Sequence, residues 1–130
     1  MAFELYQDDL NTSPTLCYVT ATAAESYVPG ELLKIGAAGT ATKASGTDAP
    51  VYLCQCRKTA ASGDQIPVIR LHKTHKLKTT LSAAGAALLA GNKVTISADG
   101  LQATATTASG VLEIVELMGT AVGDEVIVRI

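Results

Sequence analysis

Tryptophan is absent from this 130-residue chain, and aromatics make up only 4% of it: Phe3 and four tyrosines. With so few large rings, the interior must rest on Val, Ile and Leu. No run approaches the roughly 20 apolar residues that span a bilayer. The longest apolar stretch, Ala83 to Ala90, is mostly alanine and is interrupted by Gly85. MAFELYQDDL shows no basic segment followed by an apolar one, so no secretory leader is expected and synthesis in the cytosol is. Catalytic signatures are missing too: there is no G-x-S-x-G elbow, no phosphate-binding P-loop and no H-E-x-x-H. Glu113 and Glu116 are close in sequence but lack an evident facing carboxylate, and Asp8-Asp9 sits where burial is not expected. These absences exclude a recognisable enzyme.

Cysteine is scarce, with Cys17, Cys54 and Cys56 the full set. On a strand, Cys54 and Cys56 would share a face with their sulfurs about 7 Å apart. Cys17, His72 and His75 could in principle complete a metal site, but C-x-C on a strand is a poor match to zinc spacing. Reduced thiols and no bound metal or other cofactor are therefore expected.

What the chain does have is small residues: 21 Ala, 16 Thr and 11 Gly. A core built around them is thin, and such a chain gains from contact with neighbours. The net charge of −2 hides three blocks. Residues 1–31 carry −5, residues 32–93 carry +7, and residues 94–130 carry −4. Segregation of this kind suits complementary docking. Within the middle block, Arg70, Lys73, Lys76 and Lys78 cluster around His72 and His75. No aromatic residue interleaves them, so a stacking platform for nucleic acid is lacking and no direct nucleic-acid binding is expected. A spacing of three on a strand would send the two imidazoles to opposite faces.

Periodicity divides the chain into residues 1–28, an extended N-terminal arm with one candidate strand at Leu16–Thr20, and a β-domain over 29–130. Inside the domain runs an internal repeat, about 30–69 and 91–130. Gly30, Ile35, Ala37, Gly39 and Ala44 recur as Gly91, Ile96, Ala98, Gly100 and Ala105. Ala61-Ser-Gly-Asp recurs as Ala121-Val-Gly-Asp after a single-residue gap. Each unit reads as a strand (Leu32–Ile35; Lys93–Ile96), a Gly turn, and a Thr/Ala strand (Thr40–Ala44; Leu101–Thr107). A Val/Ile/Leu strand follows (Val51–Cys56; Val111–Leu117), then a Gly-Asp turn and a closing strand (Gln65–Leu71; Glu125–Ile130). The odd-numbered leucines Leu71, Leu77 and Leu81 suggest that the closing strand of the first unit continues through Leu81. Ser82–Leu89 allows one short helix at most, weakened by roughly 1 kcal/mol at Gly85. The fold class expected is all-β, a small barrel or sandwich built from two similar units.

The repeated pattern resembles the small head decoration, or capsid cement, proteins of tailed bacteriophages. The resemblance rests on Pro29-Gly30-Glu31-Leu32, Ala37-Ala38-Gly39, Gly63-Asp64 and Ile66–Ile69. It continues through Leu89-Ala90-Gly91-Asn92-Lys93-Val94, Ala98-Asp99-Gly100 and Gly123-Asp124-Glu125-Val126-Ile127-Val128, and it covers about 28–130. The segment Leu71–Leu81 departs from the family pattern by its charge. The resemblance implies a protein of the outer capsid surface that clamps neighbouring major capsid subunits, as a homotrimer at local three-fold positions, with no membrane contact. Phe3, Leu5, Tyr6 and Leu10, among Asp8 and Asp9, are then the expected capsid contacts, because apolar residues on an arm without a core need a partner. Arg70, Lys73, Lys76 and Lys78 are the secondary ones. Such an arm is expected to be mobile when free, so its deletion should leave the melting temperature of the domain unchanged. Two other classes remain open. One is a tail-tube or connector subunit; the other is a carbohydrate- or cell-surface-binding module using Tyr18, Tyr27 and Tyr52.

Overall fold

The structure is a computed structural model describing residues 2–8 and 16–130. Every regular element among them is a strand. In chain order these are β1 (Glu4–Asp8), β2 (Leu16–Thr20), β3 (Ser26–Tyr27), β4 (Leu32–Ile35), β5 (Ala41–Lys43) and β6 (Tyr52–Cys54). Then come β7 (Lys58–Thr59), β8 (Gln65–Arg70), β9 (His75–Thr80), β10 (Lys93–Val94), β11 (Leu112–Leu117) and β12 (Glu125–Arg129). They form a central five-stranded sheet, β2-β8-β6-β4-β5, an outer one, β1-β9-β12-β11-β10, and a two-stranded ribbon, β3-β7. The sheets are antiparallel, and they do not close into a barrel.

Alternation of side chains along each strand builds two apolar cores. On one face of the central sheet, Leu32, Leu53 and Ile69 pack with Leu77, Val94, Leu112, Ile114, Val126 and Val128 of the outer sheet. On its other face, Leu33, Tyr52, Cys54, Ile66 and Val68 pack with Ala21, Tyr27 and Ala60. The phenol of Tyr27 donates to the Ala41 carbonyl at 2.6 Å, which satisfies its polar end inside that second core. The central sheet is thus covered on both sides. Each buried Leu or Ile contributes roughly 1.5–3 kcal/mol, so these few large residues offset the abundance of alanine.

The duplication extends further than residue identity suggests. In the central sheet Leu53 pairs with Ile69 and Cys54 with Val68; in the outer sheet Glu113 pairs with Arg129 and Ile114 with Val128. Leu33 opposite Tyr52 is matched by Val94 opposite Leu112. The correspondence then runs back into the first 28 residues. Thr20 opposite Gln65 is matched by Thr80 opposite Glu125, and Cys17 opposite Val68 by Leu77 opposite Val128. Even the turn chemistry repeats. Asp64 accepts from the Ala61 N–H at 2.8 Å and Asp124 from the Ala121 N–H at 3.0 Å, with Gly63 and Gly123 at φ of 83° and 86°. The first unit therefore starts at β2, not at residue 30, and each unit folds into one sheet in the same strand order.

The arm reading is overturned for the described residues. β1 joins the outer sheet beside β9, pairing Glu4 with Lys78 and Leu5 with Leu77. Phe3 is 2% exposed within the main core, and Leu5 packs against it. The Phe3 N–H donates to the Gly30 carbonyl at 2.9 Å. Gly30 is required there, because a Cβ at its φ of 82° would lie 2.4 Å from the Ala2 Cβ and 2.7 Å from the Phe3 carbonyl oxygen. Other departures are local. The strand expected to run through Leu81 breaks after Arg70, and its two parts, β8 and β9, enter different sheets. Leu71, Leu77 and Leu81 still share the main core. Ser82–Leu89 folds into turns rather than a helix, and Leu101–Thr107 contributes only bridges at Ala103.

Phe3→Ala is expected to destabilise the fold by about 3–5 kcal/mol, the usual range for emptying a buried phenylalanine site. Denaturant unfolding measures it, and an unchanged midpoint would return residues 2–8 to the status of a free arm.

Candidate docking surfaces at the sheet edges

The N-terminal strand and its neighbour bring opposite charges together. Glu4 lies opposite Lys78, and Asp8 lies opposite His75. Lys78 Nζ sits 3.0 Å from Glu125 Oε2 of β12, and that carboxylate holds the Lys78 ammonium above its ordinary pKa, first by hydrogen bonding and then by charge. Asp8 Oδ2 lies 3.5 Å from His75 Nε2, with side chains only 6% and 5% exposed. The His72 N–H donates to His75 Nδ1 at 3.3 Å, which leaves Nε2 as the nitrogen that carries hydrogen toward Asp8. His72 is in the turn before β9, so the two imidazoles meet edge to face, 5.3 Å apart, rather than on opposite faces of one strand.

The expected contact residues therefore separate. Phe3 and Leu5 are used by the core, and Asp8 is buried beside His75. Tyr6 is 54% exposed, at the point where β1 bulges between Leu5 and Gln7. Asp9 and Leu10 lie outside the described residues. Among the secondary candidates, Arg70 ends β8 with its guanidinium 5.9 Å from the Tyr52 ring centre. Lys73 lines a shallow cleft with Lys93, Val111, Glu113 and Arg129. Lys76 and Lys78 lie on β9 opposite Gln7 and Glu4. The four bases thus belong to two sheets and the turn between them. Of the tyrosines suggested for a sugar platform, Tyr18 on β2 is 64% exposed while Tyr27 and Tyr52 are buried, and sequence reasoning missed the exposed Leu16 beside Tyr18 on the same strand. The run LCYVT carried the signal, since it is apolar at both parities where a surface strand should alternate.

Burial displaces the pKa of two interior groups. Cys54 Sγ donates to the Cys56 carbonyl at 3.4 Å, and burial pushes its thiol pKa up to about 12. The two sulfurs are 4.0 Å apart, closer than the separation expected from an extended strand, and β6 ends at Cys54. All three cysteines are free. Glu31 is 3% exposed, and its Oε1 has no hydrogen-bond partner among the described residues. Burial raises its pKa from 4.5 to about 7; Lys43 opposes the shift, while Glu25 and Asp99 add to it. Among the described residues, no group of three or more His, Cys, Asp or Glu side chains is placed to hold a metal ion. Nor is any helix among them long and apolar enough to cross a membrane.

No protein-family model matches the chain, and no curated protein is significantly similar to it.

Glu31 makes stability depend on pH. Its folded pKa lies above the unfolded one, so its contribution is fully present below about pH 4.5 and is lost as pH rises through about 7. The displacement corresponds to a loss on the order of 3 kcal/mol. Glu31→Gln is expected to flatten this slope between pH 4.5 and 7 in denaturant melts. An unchanged slope would assign it to other groups.

Proposed function

We propose that this chain is a non-enzymatic structural protein of a phage virion. It binds the outer surface of the assembled capsid and holds neighbouring major capsid subunits together, with copies grouped at local three-fold positions. The observation that carries the reading is the doubled Gly-turn and Gly-Asp unit. Its residue pattern resembles that of the decoration proteins, and here it folds twice in one strand order. The interior supports a scaffolding role: its two cores are filled by side chains, and its surface offers strand edges and charge. With Phe3 and Leu5 committed to the core, Tyr6 is the member of the expected contact set left exposed among the described residues. It stands beside the Glu4 and Lys78 pair, where a polar and aromatic rim suits protein rather than nucleic acid.

Pelleting purified protein with undecorated capsids tests this. Stoichiometric co-sedimentation is expected, with Tyr6→Ala weakening it about tenfold, or about 1.4 kcal/mol, while the unfolding midpoint stays put. Assembly into rings or filaments without capsid binding would favour a tail-tube or connector subunit. Glycan binding without particle binding would favour a surface-recognition module.

A further inference from the structure

The duplication supplies an internal comparison. Cys54 opposite Val68 repeats as Ile114 opposite Val128. The Cys54 N–H donates to the Glu31 carbonyl at 2.9 Å, and the Ile114 N–H donates to the Asn92 carbonyl at 2.8 Å. Both units leave the regular ladder just after this point. β6 ends at Cys54, and β11 shifts register between Ile114 and Glu116. The irregularity therefore belongs to the shared fold, while its chemistry does not. Ile114 and Glu116 stand in the second unit where the first carries two thiols. A backbone that accepts isoleucine and glutamate at these positions does not need a pair of cysteines for its own sake.

Local contacts hold the pair ready to react. Cys54 Sγ and Cys56 Sγ are 4.0 Å apart, and the Cys54 thiol donates to the Cys56 carbonyl at 3.4 Å. The residue between them is tied twice. Its main-chain N–H donates to the Pro67 carbonyl at 3.1 Å, and the Gln55 side-chain amide donates to the Cys54 carbonyl, also at 3.1 Å. A disulfide needs its sulfurs about 2.05 Å apart, so about 2 Å of closure is required, within reach of side-chain rotation. Cys17 flanks Val68 from the other side, on β2. It is two strands from Cys54, about 10 Å, which is beyond direct bonding. The two paired thiols are also unequally placed. Cys54 is fully buried, whereas Cys56 is only partly buried at the margin of the second core. Burial, with a smaller push from the Glu31 charge, keeps the Cys54 thiol protonated. An oxidant arriving from solvent meets Cys56 first, with Cys54 directly behind it.

We propose that Cys54 and Cys56 form a peroxide-oxidisable dithiol that closes reversibly into a disulfide within the chain. The Cys56 sulfur attacks one oxygen of a hydroperoxide. The O–O bond breaks, leaving Cys56 as a sulfenic acid and releasing the other oxygen, which for hydrogen peroxide departs as water. The Cys54 sulfur then attacks the Cys56 sulfur. The S–O bond breaks, and the hydroxyl leaves as a second water with the Cys54 proton. Two thiols have lost two hydrogens and two electrons, and the peroxide has gained both. A small dithiol reverses the step by exchange, breaking the S–S bond while it is itself oxidised to a disulfide. The site is independent of the capsid reading.

Thiol counting after exposure of the folded protein to stoichiometric hydrogen peroxide tests this. The reduced chain has three free cysteines to alkylate with iodoacetamide once denatured. Peroxide is expected to leave only Cys17 alkylatable, in a chain lighter by two hydrogens, and dithiothreitol should restore all three thiols. Peptide mapping should place the link between Cys54 and Cys56. In Cys54→Ser, Cys56 should stop at the sulfenic acid and be trapped by dimedone. In Cys56→Ser, the buried Cys54 should stay alkylatable at the same dose. The unsubstituted chain decides the matter even where a variant fails to fold. Three alkylatable thiols remaining after peroxide would overturn the proposal, as would sulfinic acid at Cys56 without a link, or a link that includes Cys17.

Discussion

The rest of the molecule depends on one contact, the face-to-face packing of Leu32, Leu53 and Ile69 against Leu77, Leu112, Ile114 and Val128. A chain rich in alanine, threonine and glycine has few side chains that bury substantial area, and most of them meet here. Because the central sheet is also covered on its other side by Tyr27, Ala21 and Ala60, its strands β4 and β6 are apolar at consecutive positions. They cannot alternate between oil and water as the strands of a two-layer sandwich do. Phe3 enters the same core from outside the duplicated unit. It also ties the outer-sheet strand β1 to Gly30, just before β4.

Charge takes a different meaning once the fold is known. The acidic first block and the basic middle block look like surfaces awaiting a partner, yet part of each is matched within the chain. Asp8 approaches His75, and Lys78 reaches Glu125 of the acidic third block. Arg129 and Glu113 pair at 2.8 Å on neighbouring strands. The partly exposed pairs, Lys78 with Glu125 and Arg129 with Glu113, contribute modestly to stability, each across neighbouring strands.

Much of the fold was legible locally. Leu32–Ile35 announces itself as a strand, and the Gly-Asp turns are recognisable because an aspartate three residues on caps the turn it closes. The all-β class follows from such signals. Half of the duplication was hidden, because Leu16–Thr20 and Lys76–Thr80 share a backbone role while agreeing in identity only at the final threonine. Hydrogen-bond register survives substitutions that erase sequence similarity. Phe3 was misread for another reason. Its neighbours, Leu53, Leu77 and Leu81 among them, are distant in sequence, and no local pattern reveals a core assembled from so far away. Of the residues expected to make contacts from the arm, Tyr6 keeps its exposure among those described.

The pairing of β1 with β9 also sets an order of events during synthesis. Residues 16–70 contain every strand of the central sheet, so that unit can assemble from a contiguous stretch as it emerges. β1 is made before all of it but has no partner until His75–Thr80 exists. At ordinary elongation rates, roughly 5–20 residues per second, the N-terminal strand waits on the order of several seconds beside an incomplete chain. β1 cannot pair with β9 before the central-sheet strands between them have been made, and until β9 arrives the core face of the central sheet lacks its cover.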